Sequence, residues 1–381
     1  MSVRRPARKL FAAILATVLA LLLAEGALRW LPIAPSQPLG RLSYQTGAGE
    51  PVADLAEAVA RGFVVPVDPK LVPRARFMFR PGLDFFLCYT DHERLQRDWF
   101  DAAGRVPVHI NAAGIRDRDE ITHAKPAGQR RLLCLGDSFT FGWGIREEDG
   151  WVRLLEAGLR SSGKEVRTVN CGAAGALCVD EYEYGLQHRF AAFQPDAVLV
   201  TLCLNDLLPS SGLCLVDPVR PTGLRLFDLA RAAFGRSALD LDPTRDWVGE
   251  LLALGKQAGE AAGYYGTDAP FEAMWSQGTP QRSLRRMASW CNERKIPLLV
   301  SLWPFLQGLG KGRSYPFARM HQLVADECAA AGIPFLDLLP ALQDTPQEQL
   351  WVTPADMHAN PTAQRLALPH LEQFVRQHWP Q

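Results

Sequence analysis

The chain has 381 residues, 48% hydrophobic and 22% charged, proportions that exclude a disordered or collagen-like polymer and a many-span membrane protein. Lysine plus arginine number 41 and aspartate plus glutamate 41, but setting aside Arg4, Arg5, Arg8, Lys9, Arg29 and Glu25 of the first 33 residues leaves 36 basic against 40 acidic. A body with that balance offers nucleic acid no electrostatic attraction.

The N-terminus places Arg4, Arg5, Arg8 and Lys9 before a charge-free run from Leu10 to Ala24. Extended through Trp30 and Leu31 the apolar stretch is long enough to cross a hydrocarbon core of about 30 Å, with Glu25 and Arg29 one turn apart near its end. A cleaved signal peptide is the competing reading, but Ala24 and Gly26 make a poor cleavage site with a charge between them. Residues 1–33 are therefore expected to be a cytoplasmic basic tip and a single transmembrane anchor. The positive-inside rule then puts everything after Pro32 on the extracytoplasmic, periplasmic side.

On that side disulfides persist, and the eight cysteines are too few for a disulfide scaffold. Cys203 and Cys214, with ten residues between them around a Pro/Ser/Gly turn, form the one expected bridge. Cys134, Cys291 and Cys328 read as inert buried thiols. No Cys/His spacing suits a metal, and no cofactor is expected.

Residues 34–72, rich in proline and glycine at their start, read as a tether. Residues 73–130 read as an irregular extension with one alternating strand, VPVHIN, followed by NAAGIRD with a turn at Gly114. From 131 to 381 the text changes. Five short apolar runs (RRLLCLG, EVRTVNCG, DAVLVTLC, IPLLVSLW and IPFLDLL) alternate with helical stretches. This alternation predicts an α/β domain, a three-layer α/β/α sandwich around a five-stranded parallel sheet. The interval 207–270 is too long for an ordinary connection and reads as a helical insertion, a lid or partner surface as readily as plain elaboration.

Functional groups of such a sheet collect past the C-terminal ends of its strands. Polar text of an unusual kind stands there: GDSFTFGWG at 136–144, NCGAAG at 170–175 and CLND at 203–206, with TPADMHANP at 353–361 before the last helix. Ser138 directly follows a strand, where its hydroxyl can project over the sheet, though a serine needs a base to become a nucleophile. Among the histidines His358 alone has a carboxylate two residues earlier in a Pro-flanked loop, which makes it the base, with Asp356 fixing its tautomer. His109, His188 and His370 look like surface or packing residues. Taken alone, Gly175 is a turn glycine and Asn205 a helix cap, although a bare N–H and a side-chain N–H could also serve an oxyanion. Asp137 reads as a local hydrogen-bonder, and Trp143 and Trp303 as cleft walls or core aromatics.

These four blocks, in this order, resemble the SGNH/GDSL hydrolase superfamily over residues 131–379, and the tether with NAAGIRD resembles what precedes the catalytic domain in membrane-anchored bacterial members. The resemblance implies a flavodoxin-like fold, catalytic Ser138, Asp356 and His358, and an oxyanion hole of the Ser138 backbone, Gly175 and Asn205. Two departures stand out. Cys203 replaces a frequent glycine and could crowd the cleft, and Asp356 and His358 are spaced DxH rather than DxxH. The expected activity is a membrane-anchored serine esterase acting through an acyl-enzyme on an ester-bearing small molecule, lipid or glycan. The alternatives are an O-acyltransferase modifying envelope or secreted glycans, with a membrane-protein partner, and a non-catalytic glycan-binding or scaffold protein of the envelope.

Overall fold

The computed structural model describes residues 4–30, 39–52, 55–66, 77–161, 163, 165–173, 178–207, 226, 275–276 and 278–379. Its strands run in chain order as β1 (Leu42–Thr46), β2 (Pro51–Val52), β3 (Val64–Pro66), β4 (Phe77–Phe79), β5 (Leu83–Tyr89), β6 (Arg105–Ile110), β7 (Arg130–Gly136), β8 (Val166–Gly172), β9 (Ala197–Cys203), β10 (Leu298–Trp303), β11 (Phe335–Asp337), β12 (Trp351–Thr353) and β13 (Asp356–Ala359).

The five apolar runs become β7 to β11 and pair in the order β11-β10-β9-β7-β8, every pair parallel. β9 and β10 are buried along their whole length, as strands covered on both faces must be. Helix Trp151–Arg160 packs on the C-terminal helix Pro361–His378, and helix Val179–His188 on helix Thr279–Glu293. These are the outer layers of the expected sandwich. The strand order reverses direction between β7 and β9, so the crevice at their C-terminal ends is the switch point where such sheets bind ligands.

The stretch read as tether and irregular extension holds more structure than its composition foretold. β1 pairs antiparallel with β5, Leu42 opposite Tyr89 and Thr46 opposite Phe85, giving an antiparallel sheet in the order β2-β1-β5-β6. In LDFFLCY the alternate residues Leu83, Phe85, Leu87 and Tyr89 are buried. That period of two was hidden by Phe86 and Cys88, apolar residues on the opposite face. The sheet has its own core, in which Phe63 meets Phe85 at 5.0 Å and Phe85 meets Phe79 at 4.7 Å between ring centroids. Phe141, Trp143, Ile145 and Val352 of the α/β domain also belong to that core.

The N-terminal helix Arg4–Trp30 contains an apolar stretch, Phe11–Arg29, of mean hydropathy 2.2, exposed from Phe11 to Leu23, and Arg29 pairs with Glu25 at 3.0 Å. Its length and composition fit a membrane span and equally a signal sequence. Cys134, Cys291 and Cys328 are fully buried. Apart from Leu207 and Leu226, the insertion expected over 207–270 lies outside the described residues, and so does Cys214 of the expected bridge.

Candidate active site

β7 ends at Gly136, and the chain turns at once into the single helical turn Ser138–Phe141. Asp137 stands at the cap position, its carboxylate accepting the Phe139 N–H at 2.8 Å, as the sequence led us to expect of a local hydrogen-bonder. Gly142 closes the turn with φ 83°, a left-handed conformation suited to glycine. One turn carries little macrodipole, and Asp137 already takes three of its N–H groups, the side chain that of Phe139 and the backbone carbonyl those of Thr140 and Phe141. The turn lies hard against β8 because Gly172, paired with Gly136, has no side chain; a Cβ there would run into the Phe141 backbone nitrogen.

From the other side the turn is gripped by NAAGIRD. The Asn111 side-chain oxygen accepts the N–H groups of Ala113 and Ile115, shaping the bend that aims Arg116 inward. The buried Arg116 guanidinium donates to the carbonyls of Phe141, Gly142 and Ile145, the last at 2.6 Å. Burial pushes its pKa down to about 10, which leaves it charged at neutral pH. Asp117 beside it pairs with Arg153 and Arg167, both at 2.7 Å.

Asp356 and His358 sit on β13, the second strand of a short hairpin in which Thr353 faces Asp356 and Trp351 faces Ala359. Their location is thus a strand rather than the loop expected from the sequence. On a strand, residues two apart share a face, so DxH brings both side chains to one side. Asn360 then caps the terminal helix, accepting the N–H groups of Thr362 and Ala363.

The structure brings three of the five expected site residues together. His358 Nε2 lies 2.8 Å from Ser138 Oγ, and His358 Nδ1 lies 2.5 Å from Asp356 Oδ1. The tautomer this implies carries its proton on Nδ1, donated to the carboxylate, with Nε2 open to accept from the serine. Burial alone would favour a neutral imidazole, but the charge and hydrogen bond of Asp356 outweigh it and hold His358 above its ordinary pKa. Burial would likewise raise Asp356; the opposing charge of His358 and the hydrogen bonds Asp356 accepts keep it below the usual carboxylate range. A chain of this geometry can take the serine proton and stabilise the resulting imidazolium.

Asn205 lies inside the single turn Leu204–Leu207 that follows β9, not ahead of it, so its backbone does not occupy a cap position. Gly175 lies outside the described residues. Cys203 is fully buried in the main core, with its N–H donating to Asp206 at 2.9 Å; it fills the sheet interior and does not crowd the cleft. Trp303 is likewise a core side chain, and Trp143, buried in the core of the N-terminal sheet, has its ring 6.1 Å from the His358 ring. His109 pairs with Asp84 on the outer sheet, His188 stacks near Tyr184, and His370 is exposed.

Two residues of the site escaped the sequence reading. One is Arg116, for which the NAAGIRD block was the available signal. The other is Tyr89, at the end of β5, whose hydroxyl donates to Asp356 Oδ2 at 2.7 Å across 267 residues of chain.

A serine at the switch point of a doubly wound parallel sheet, hydrogen-bonded to a histidine and through it to a carboxylate, defines the architecture of an α/β serine hydrolase. Residues 134–366 match the model of the GDSL-like lipase/acylhydrolase family, and the chain belongs to that family. It is an SGNH-type hydrolase, with an esterase or acyltransferase type of activity. Among solved structures it is similar to the psychrotrophic esterase EstA from a Pseudoalteromonas species, at 12% identity and a TM-score of 0.38 over 65% of this chain and 97% of that one. It is also similar to the lipase/acylhydrolase from Enterococcus faecalis, at 12% identity and 0.37 over 65% and 96%. A G-D-S-L family lipolytic protein from Veillonella parvula DSM 2008 matches at 13% and 0.34 over 66% and 98%. Comparison with curated proteins gives no match.

Proposed function

We propose that this protein is a membrane-anchored, extracytoplasmic serine esterase whose catalytic domain is residues 131–381. The observation that carries the reading is the unbroken run of hydrogen bonds from Ser138 through His358 to Asp356. In the proposed cycle Ser138 Oγ attacks the ester carbonyl carbon while its proton passes to His358 Nε2. The C–O bond to the alcohol then breaks, and His358 returns the proton to the leaving alkoxide. Water, deprotonated by the same nitrogen, attacks the acyl-enzyme; the acid leaves and Ser138 recovers its proton. Asp356 holds the Nδ1 tautomer and faces the imidazolium that forms. The oxyanion is met by the Ser138 N–H, the Gly175 N–H and the Asn205 side chain. The four basic residues ahead of the apolar helix support a cytoplasmic N-terminus and an external body.

Labelling with a fluorophosphonate tests the reading. Wild-type protein should be modified at Ser138, and Ser138→Ala should lose both labelling and turnover, by about 10⁶ in kcat. Undiminished turnover of a simple aryl ester by Ser138→Ala would overturn the assignment. A reporter active only outside the cytoplasm, fused after Gln381, should be active; a silent reporter would reverse the topology.

A further inference from the structure

The catalytic carboxylate is held from outside the α/β domain. Asp356 has two oxygens, and His358 uses only one: Oδ1 takes the ring N–H at 2.5 Å and, more weakly, the His358 backbone N–H at 3.3 Å. Oδ2 takes the Tyr89 O–H at 2.7 Å. Asp356 is buried, so an unfilled lone pair on Oδ2 would be costly, and no water is needed there when the phenol is present. The rest of the hairpin is tied down by the same N-terminal segment. Thr353 Oγ1 accepts the Asp356 N–H at 3.0 Å and donates to the Gly40 carbonyl at 2.8 Å, and the Ala355 N–H donates to the Leu39 carbonyl at 3.2 Å.

Tyr89 is itself fixed. Its ring stacks on Phe100 at 4.8 Å and 7°, and it is 3% exposed at the end of β5. Gly144 leaves room for the hydroxyl: a Cβ there would lie 2.7 Å from Tyr89 Oη and 2.8 Å from Val352. The last glycine of FTFGWG at 139–144 thus has a spatial reason.

We infer that Tyr89 is a positioning residue of the active site: its hydroxyl orients the Asp356 carboxylate toward His358, and the N-terminal sheet is thereby part of the catalytic machinery rather than a spacer. This rests on the Ser138–His358–Asp356 reading above. The phenol acts by shape and by charge. It fixes the carboxylate plane so that Oδ1 meets the imidazole, and it takes up part of the negative charge that His358 would otherwise feel alone. Burial and the facing carboxylate hold the phenol well above its ordinary pKa, so it stays a donor across the working pH range. The other charged or titratable groups bearing on this cluster are Asp137 on the His358 side and Tyr44 and Arg116 on the Tyr89 side.

The test is Tyr89→Phe in the full chain, which keeps the ring, its stacking and the β5 register and removes one oxygen. Loss of one charge-assisted hydrogen bond to a catalytic group should lower kcat roughly tenfold to a hundredfold with KM nearly unchanged. The acid limb of kcat/KM should move up in pH, because the undiluted Asp356 charge favours the imidazolium. In an Asp356→Ala background the same change should have no further kinetic effect, whereas a merely structural contribution would add. Site-specific 3-fluorotyrosine at position 89, isosteric and a stronger donor, should fold normally and move the limb down. A Tyr89→Phe enzyme with wild-type kcat and an acid limb that is unmoved or lowered overturns the inference. Ser138→Ala run in parallel separates the outcomes: if it is inactive while Tyr89→Phe is normal, only the role of Tyr89 fails, and if it is active the triad fails with it.

Discussion

Replacing Gly172 by alanine should slow catalysis about a hundredfold in a protein that still folds. The backbone at Gly172 is open to any residue, so the effect is purely steric. The new Cβ would lie 2.6 Å from the Thr140 carbonyl carbon and 2.8 Å from Phe141 Cα, and nearer still to the Phe141 nitrogen. All three are backbone atoms and cannot swing aside. Restoring ordinary contact near 3.4 Å requires the turn carrying Ser138 to retreat by about 1 Å, given that packed interiors yield little. Ser138 Oγ, now 2.8 Å from His358 Nε2, would move beyond the roughly 3.2 Å reach of a productive proton transfer. A misplacement of that size costs about 10² in rate. Overpacking itself costs about 1–3 kcal/mol, a fall of several degrees in Tm at about 2–4 °C per kcal/mol. Steady-state kinetics on an aryl ester, with a melting curve on the same preparation, reads both quantities. Gly158→Ala is the control: the nearest atoms to its Cβ would be those of the Glu372 carboxylate, the far end of a flexible side chain, within a helix that favours alanine. It should melt no lower than wild type and keep its rate. A folded Gly172→Ala enzyme with wild-type kcat would show that the turn is not held by β8 in the way described.

The pH profile of kcat/KM should have an acid limb above 6.5, the ordinary histidine value, because protonated His358 cannot accept the serine proton and its folded pKa is raised; a limb below 6.5 would contradict the balance of burial against Asp356. Asn205→Ala should lower kcat by about 10² to 10³ with little change in KM if the side chain serves the oxyanion, and a wild-type rate with only a lower Tm would remove it from that role.

Much of this architecture was legible locally. RRLLCLG, DAVLVTLC and IPLLVSLW are continuous apolar runs of strand length between helical periods, and strands buried on both faces read that way. Ser138 and His358 stood out because each is polar text at an element boundary, where a sheet of this kind collects its chemistry. Other parts of the molecule had no local mark. Tyr89 ends a strand whose alternation is blurred by Phe86 and Cys88, and its importance comes from a register between two sheets that no window of sequence contains. LSYQT has one strongly apolar face of two residues and lies among prolines and glycines, so its strand depends on β5 being there to receive it. Arg116 was visible only as part of a block; what it holds, three carbonyls around the Ser138 turn, is a property of the folded backbone.

The hydrogen bond between Tyr89 and Asp356 also sets a timetable. The two residues are 267 positions apart, and the N-terminal sheet is made first. At a synthesis rate of about 5–20 residues per second, the phenol waits roughly 13–50 s for the hairpin that carries its carboxylate. During that interval the serine turn can form against β8 with no base to activate it. On the proposed reading, hydrolytic competence therefore waits for the hairpin Trp351–Ala359, and a nascent chain that has not yet made it carries a serine turn without its base.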